Sequence, residues 1–323
     1  MDLRSWWVAL RLGATTDSGV YVITYHGVVD RFADRRLERN FVSLAEFKAQ
    51  VRLLRRFRVV SLAEVESFLA GGASLGRRVS VAVTFDDGYK NNLRAAEILQ
   101  AAGLPWTLFL SAGSIDAQTP IWTASLSLLL LCSAAKKVDA IGRSWSLSTI
   151  AEREHAFQEI RQTLKTLPAI ARRKEFAAIL RQSPDEDWNR IRREHAVFEP
   201  LSWAEVRELS RAGVEIASHG IDHEIHHALQ TPMVRREELT ESKELIEGRL
   251  GRACRYFAFP NGTTNPDSNS EARSAGYRLA FTTQPGAVGR ASDPFSLPRI
   301  EAGSKVRSLV NNLLVDRSIR TGE

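Results

Sequence analysis

Two adjacent carboxylates, Asp86 and Asp87, directly follow a valine-rich apolar run over residues 79–85. At the end of a buried strand, side by side, they need a cation or hydrogen-bond donors to remain ionised. Later in the chain, His219 and His223 stand four residues apart in Ser218-His219-Gly220-Ile221-Asp222-His223. Two imidazoles from one loop can meet one metal ion. One carboxylate then completes a three-ligand set that leaves positions open for water, the pattern of a catalytic rather than a structural site. Each feature also has a plainer reading: an Asp-Gly turn before a capped helix, and a pair of hydrogen-bonded loop histidines. His226 and His227 are further candidates, whereas His155 and His195 fall in a charged stretch expected to face solvent. Three other apolar runs end in polar groups: Tyr25-His26-Gly27, Phe259-Pro260-Asn261-Gly262 and Leu297-Pro298-Arg299-Ile300. Arg299 could orient a carboxylate or lie on the surface, and Asn261 could simply belong to a turn.

Such residues act together only if the fold brings the run ends to one place. The apolar runs at residues 20–25, 79–85, 106–110, 214–217, 256–259, 279–283 and 297–300 read as strands. Helical spacing predicts helices over residues 41–57, 91–102, 202–212, 231–250, 268–275 and 304–315. Ser43, Ser202 and Thr231 are the expected caps, Pro232 the first helical residue, and Gly103, Gly213 and Gly251 the stops. Alternating strands and helices mean a parallel sheet covered by helices. About seven units fit a closed or nearly closed barrel better than an open sheet, and barrel active sites collect at the C-terminal strand ends. The expectation is therefore an α/β fold: a distorted (β/α)7-type barrel forming one domain over residues 1–323. The alternation lapses over about residues 116–200, where helical stretches but no strand are expected, so this region reads as a helical insertion.

With 323 residues, 44% of them hydrophobic and 25% charged, the chain is long and apolar enough for a full core, which argues against disordered and fibrous classes. A net charge of +6 gives a mild preference for anionic neighbours. No basic stripe with stacking aromatics and no zinc-finger spacing supports nucleic-acid binding. The two cysteines, Cys132 and Cys254, are far apart and read as reduced core thiols. The longest apolar run is too short to span a bilayer, and the N-terminus lacks the pattern of a signal peptide. A cytoplasmic location follows as the default. Leu3, Trp6, Trp7 and Leu10 fall on one helical face beside Arg4 and Arg11. That face suggests contact with the inner membrane surface or a lipid-linked glycan; a helix packed on the barrel is the alternative.

Taken together, these blocks resemble the polysaccharide deacetylase family, also called the NodB-homology or carbohydrate esterase 4 family. Thr84-Phe85-Asp86-Asp87-Gly88 matches its first block, and Ser218 to His223 its His-x-x-x-His block, with Gly220 where Ser or Thr is common. Phe257 to Gly262 resembles the third block, with Asn261 in place of the usual tyrosine, and Leu297 to Ile300 the arginine-bearing fourth. The resemblance covers the chain except the insertion. It implies that Asp87, His219 and His223 bind a divalent metal, most often zinc, and that Asp86 is the base that activates water. It implies further that the Asn261 backbone N–H helps stabilise the oxyanion and that Arg299 holds Asp86 ionised and oriented. The family often carries an acid histidine in a late Leu-x-His block, but no histidine follows His227 here. The early Tyr25-His26-Gly27-Val28 instead resembles the circularly permuted branch that includes the poly-N-acetylglucosamine deacetylases, which makes His26 the general acid. The expected reaction is hydrolysis of an N-acetyl group on a carbohydrate. A deformylase or other amide hydrolase on the same scaffold, or a non-catalytic carbohydrate-binding relative, are the rival readings; loss of Asp86 or of a ligand would mark the last, and neither is lost.

Overall fold

A computed structural model of the chain describes residues 19–72, 75 and 80–320. The N-terminal segment with Leu3, Arg4, Trp6, Trp7, Leu10 and Arg11 lies outside them. Among the described residues, no helix is long and apolar enough to cross a membrane.

Seven parallel strands form the centre: β1 (Val20–Tyr25), β2 (Ser80–Phe85), β3 (Thr107–Leu110), β4 (Glu215–Ser218), β5 (Tyr256–Ala258), β6 (Leu279–Phe281) and β7 (Ile300–Glu301). They lie in the order β6-β5-β4-β3-β2-β1-β7. The segment leading into β7 joins the two edges: Leu297 pairs with Phe281 of β6, and Ile300 pairs with Ile23 of β1. Two ladder bonds fasten that seam, Thr282 N–H to the Leu297 carbonyl at 2.8 Å and Leu297 N–H to the Ala280 carbonyl at 2.9 Å. This is the distorted (β/α)7-type barrel expected from the alternation.

The period-two alternation of strand side chains decides which residues reach the barrel interior. Val20, Val22, Ala82, Phe109, Ala217 and Leu297 share one inner cluster. Tyr21, Ile23, Val81, Val83, Leu108 and Ile216 belong to a separate outer cluster with the helix residues Phe47, Leu54 and Leu239. Continued past the strand ends, the inner parity runs from Val22 to His26, from Ala82 to Asp86, from Ala217 to His219 and from Leu297 to Arg299. The chain therefore delivers these four groups on the interior side at one end of the barrel.

The helices start where their caps require. The Ser43 hydroxyl accepts from the Glu46 N–H at the head of Leu44–Leu54, and Ser202 forms a full capping box with Glu205 at the head of Trp203–Arg211. Thr231 caps Pro232–Leu250, which ends on Gly251 in the left-handed region. Three local expectations need correction. Phe41–Ser43 is a short strand paired with Gly27–Val29, not the first turn of a helix. The strand Arg58–Val59 and the helix Leu62–Leu69, begun by a Ser61–Glu64 capping box, have no counterpart in the reading by periodicity. The region between β3 and β4 also contains an antiparallel hairpin, Lys137–Ala140 with Arg143–Ser146. Its two-residue turn, Ile141-Gly142, has φ of 48° and 79°. That is the turn twist hairpins favour, but Ile occupies the place where Asn or Asp would signal it.

The helices Trp122–Cys132, Ile150–Thr166, Ala169–Leu180 and Asp185–Glu194 stand beside the barrel mouth around an apolar cluster of their own. Leu126, Leu128 and Leu130 of the first helix are essentially inaccessible. Each such leucine contributes roughly 1.5–3 kcal/mol by leaving water. That cluster takes in Phe41, of the short strand Phe41–Ser43, with Tyr89 and Ile225 from the barrel's own loops, so the insertion packs continuously onto this end of the barrel.

Candidate active site

Asp86 follows β2, and its backbone N–H donates to the carbonyl of Tyr25 at 2.9 Å, continuing the β1–β2 pairing. Arg299, on the segment entering β7, meets it with both guanidinium arms: Nη1 to Oδ1 and Nη2 to Oδ2, each at 2.7 Å. The Arg299 Nε donates to the Thr282 carbonyl at 3.0 Å, which fixes the plane of the fork. Both side chains are buried. Burial alone would raise the Asp86 pKa. The charge of Arg299, the His219 ring and the paired hydrogen bonds outweigh it and hold the carboxyl well below the usual carboxylate range.

Asp87, the next residue, sits at φ 73°, and this departure from the extended backbone turns its carboxyl away from that of Asp86 toward the histidines. Its Oδ1 lies 3.5 Å from Nε2 of His219 and 3.5 Å from Nε2 of His223. The same oxygen is buried with no hydrogen-bond partner. The Nδ1 of His219 is 2.7 Å from the Ala258 carbonyl. A carbonyl only accepts, so that nitrogen carries the proton, which leaves Nε2 as the ring nitrogen able to ligate a cation. Burial pushes the His223 imidazole down to about 3, against the pull of Asp87, so that ring is neutral with a lone pair to offer. Candidate ligand atoms of Asp87, His219 and His223 all lie within 4.8 Å of one another. Lone pairs converging on a buried, unsatisfied carboxylate oxygen fit a cation, so the donor set suits a divalent metal.

The loop carrying His219 and His223 is held from outside by residues that no sequence motif marks. Glu238, inside the helix Pro232–Leu250, is buried and accepts from the backbone N–H groups of Ile221, Asp222 and Glu224 at 3.0, 3.0 and 3.3 Å. Burial, with Glu224 and Asp222 nearby, pushes its carboxyl up to about 8 against those hydrogen bonds. Gly220 has φ 86°, and a Cβ there would collide with the Glu238 carboxyl. This explains the glycine where Ser or Thr is common. From the insertion, Trp122 Nε1–H donates to the His223 carbonyl at 3.1 Å. Arg172 pairs with buried Glu224, one residue past the second histidine, its Nε–H reaching Oε2 at 3.1 Å. Glu238 is one acid among several in a densely charged helix whose buried positions are partly polar, so no local signal marks it.

His26 is half-buried and lines the same cleft as Asp86, Asp87, His219, His223 and Asn261, a space of about 310 Å³. Its carbonyl accepts from Asn92 Nδ2 at 2.6 Å, which ties the end of β1 to the helix Asn92–Ala101 that follows β2. Asn261 is exposed on the cleft wall at φ 58°, its Oδ1 accepting from Lys165 Nζ at 2.5 Å. The other histidines stay out of the cluster. His226 is buried against the rings of Phe257 and Phe259 with neither ring nitrogen bonded. His227 Nε2 is 3.1 Å from the Leu167 carbonyl. His155 is exposed as expected, whereas His195 is half-buried. Both cysteines are free thiols.

A model of the polysaccharide deacetylase family matches residues 76–280. YxkH of Bacillus subtilis (strain 168), whose name places it among the polysaccharide deacetylases, is 30% identical over 100 residues, 31% of this chain. The matched segment spans 36% of YxkH's own length. The fold is similar to that of the Streptococcus pyogenes deacetylase PplD in complex with acetate, with a TM-score of 0.61 and 17% identity over 93% of this chain and 99% of that one. IcaB from Ammonifex degensii is similar at a TM-score of 0.57 and 20% identity, over 91% of this chain and 97% of that one. The family match contains β2 through most of β6, with Asp86, Asp87, His219, His223 and Asn261, while His26 precedes it and Arg299 follows it. Because the match extends over well more than half of the sequence and includes the first three blocks, the chain belongs to the polysaccharide deacetylase family.

Proposed function

We propose that this protein is a metal-dependent deacetylase that hydrolyses an N-acetyl group on a carbohydrate, releasing acetate and a free amine. One observation carries the reading: a buried Asp-His-His cluster and a separately clamped, ionised carboxylate share one open cleft. Two imidazoles and a carboxylate suit zinc, which held by Asp87, His219 and His223 would supply Lewis-acid polarisation of the amide carbonyl and acidify water.

The chain's own residues supply the rest. Asp86 takes the proton of the attacking water, and Arg299 keeps that carboxylate ionised and correctly turned. Asn261 stands on the cleft wall, where its backbone N–H would meet the developing oxyanion. His26 gives a proton to the departing nitrogen, because an amide anion is too poor a leaving group at neutral pH. The PplD structure is of a complex with acetate, the acid this reaction would release.

The test is mass spectrometry of N-acetylated oligosaccharides before and after incubation with zinc-loaded protein, with N-formyl analogues alongside. Loss of acetyl mass supports the reading. Release of formyl with acetyl groups left intact would replace it with a deformylase.

A further inference from the structure

We infer that Arg39, Arg161 and Lys165 form an anion-binding subsite beside the catalytic groups, so that the substrate is an N-acetylated glycan carrying a carboxylate or phosphate near the reacting sugar. The inference rests on the deacetylase reading and specifies the substrate class of that cleft.

The three cations line the cleft that holds His26, Asp86 and the metal cluster. Among the described residues, none of the three forms an ion pair with a carboxylate. Arg36, also on the cleft wall, is different, since Asp34 already neutralises it at 2.6 Å. Of the acidic lining groups, Asp86 is occupied by Arg299, Asp87 belongs to the metal cluster, and Glu301 is exposed at the rim.

The cations also sit where repulsion works against them. Arg161 and Lys165 are four residues apart on the helix Ile150–Thr166, a spacing at which like charges destabilise a helix. Burial and then the Arg39 guanidinium lower the pKa of Arg161; burial and then Arg161 lower that of Lys165. The Arg161 Nε is buried without a partner, while its Nη2 donates to Gln158 at 2.7 Å. Lys165 Nζ reaches only the neutral amide of Asn261. Clustered cations with an unsatisfied donor, held against an open cleft, are what a bound anion would relieve. Because Arg161 and Lys165 come from the insertion, that region would select the substrate as well as brace the metal loop.

Equilibrium binding by calorimetry on the Asp86→Asn protein tests this without turnover. The probes are a neutral N-acetylglucosamine tetramer, a tetrasaccharide alternating N-acetylglucosamine and glucuronate, and N-acetylglucosamine 6-phosphate against N-acetylglucosamine. At low salt at least one acidic probe should bind about tenfold tighter than its neutral counterpart, with the preference shrinking as salt rises. Whichever acidic probe shows it identifies the source as carboxylate or phosphate. The preference should fall toward one in Arg39→Gln/Arg161→Gln and persist in Arg161→Lys, which keeps the charge. Equal binding of acidic and neutral probes, or a preference that survives the glutamine changes, overturns the subsite. Failure of the deacetylase reading looks different: wild-type protein would bind the acidic glycan and release no acetate.

Discussion

Arg299 and Asp86 are joined by two parallel hydrogen bonds of 2.7 Å although 213 residues separate them, and both side chains are buried. The pair closes the barrel chemically as well as geometrically, since Asp86 follows β2, Arg299 enters β7, and β1 with its terminal His26 lies between them. Removing the cation should therefore cost more than a surface ion pair would. Arg299→Gln leaves a buried carboxylate uncompensated and is expected to lower stability by about 3–5 kcal/mol in chemical denaturation. The Asp86 pKa is lowered in the folded protein, so the pair's contribution is fully present above the ordinary carboxylate pKa and is lost progressively as pH falls from there through the depressed value. Recovery of most of the lost stability in Arg299→Gln/Asp86→Asn would confirm that the cost comes from the stranded charge; an unchanged midpoint in Arg299→Gln would contradict it.

The metal assignment separates cleanly from the catalytic one. His219→Ala should reduce bound zinc sharply in elemental analysis, since one of the three candidate ligands and the Ala258 tether both go. Asp86→Asn should keep full metal content and lose about 100- to 10,000-fold in turnover, the range for a missing general base. Equal metal content in wild type and His219→Ala would remove the histidine from the ligand set.

Metal affinity should also respond to residues that never touch the ion. Trp122→Phe deletes the donor to the His223 carbonyl, and Glu238→Ala deletes the acceptor of three backbone amides in the ligand loop. Outer partners of this kind are worth roughly 10- to 100-fold in metal affinity. Competition with a chelator of known affinity measures it. Affinities within twofold of wild type in both variants would mean that the loop is rigid without them.

His26 as the acid predicts a dependence on leaving group. His26→Ala should retain metal and lose about 100-fold or more on an amide, because the nitrogen must be protonated as it leaves. The loss on an acetyl ester should be smaller, an alkoxide being the better leaving group. Parallel measurement of both substrates decides the matter, and near-normal turnover of the amide would transfer the role elsewhere.

These groups are legible in the sequence because each lies just past an apolar run whose period and caps are local. The run before Asp86, Thr231 with Pro232, and Gly251 all announce themselves within a few residues, and the structure places those boundaries within a residue or two. The Ile141-Gly142 hairpin escaped notice because its turn lacks the usual residues. The helix Leu62–Leu69 carries a local signal in the Ser61–Glu64 capping box, but its eight residues are too few to establish a helical period.

By itself, then, the sequence determined the alternation of strands and helices, the kinds of side chain at the strand ends, and the family blocks that Asp86, Asp87, His219 and His223 compose. Tertiary structure alone decided what those side chains meet. Barrel closure brings Arg299 onto Asp86, a positive φ swings Asp87 toward the histidines, and packing sets Glu238, Trp122 and Arg172 against the ligand loop. The physical reason is range. Periodicity and capping are fixed by neighbours a few bonds away, whereas these contacts join residues distant in the chain and exist only after strand register and helix packing have chosen which surfaces touch.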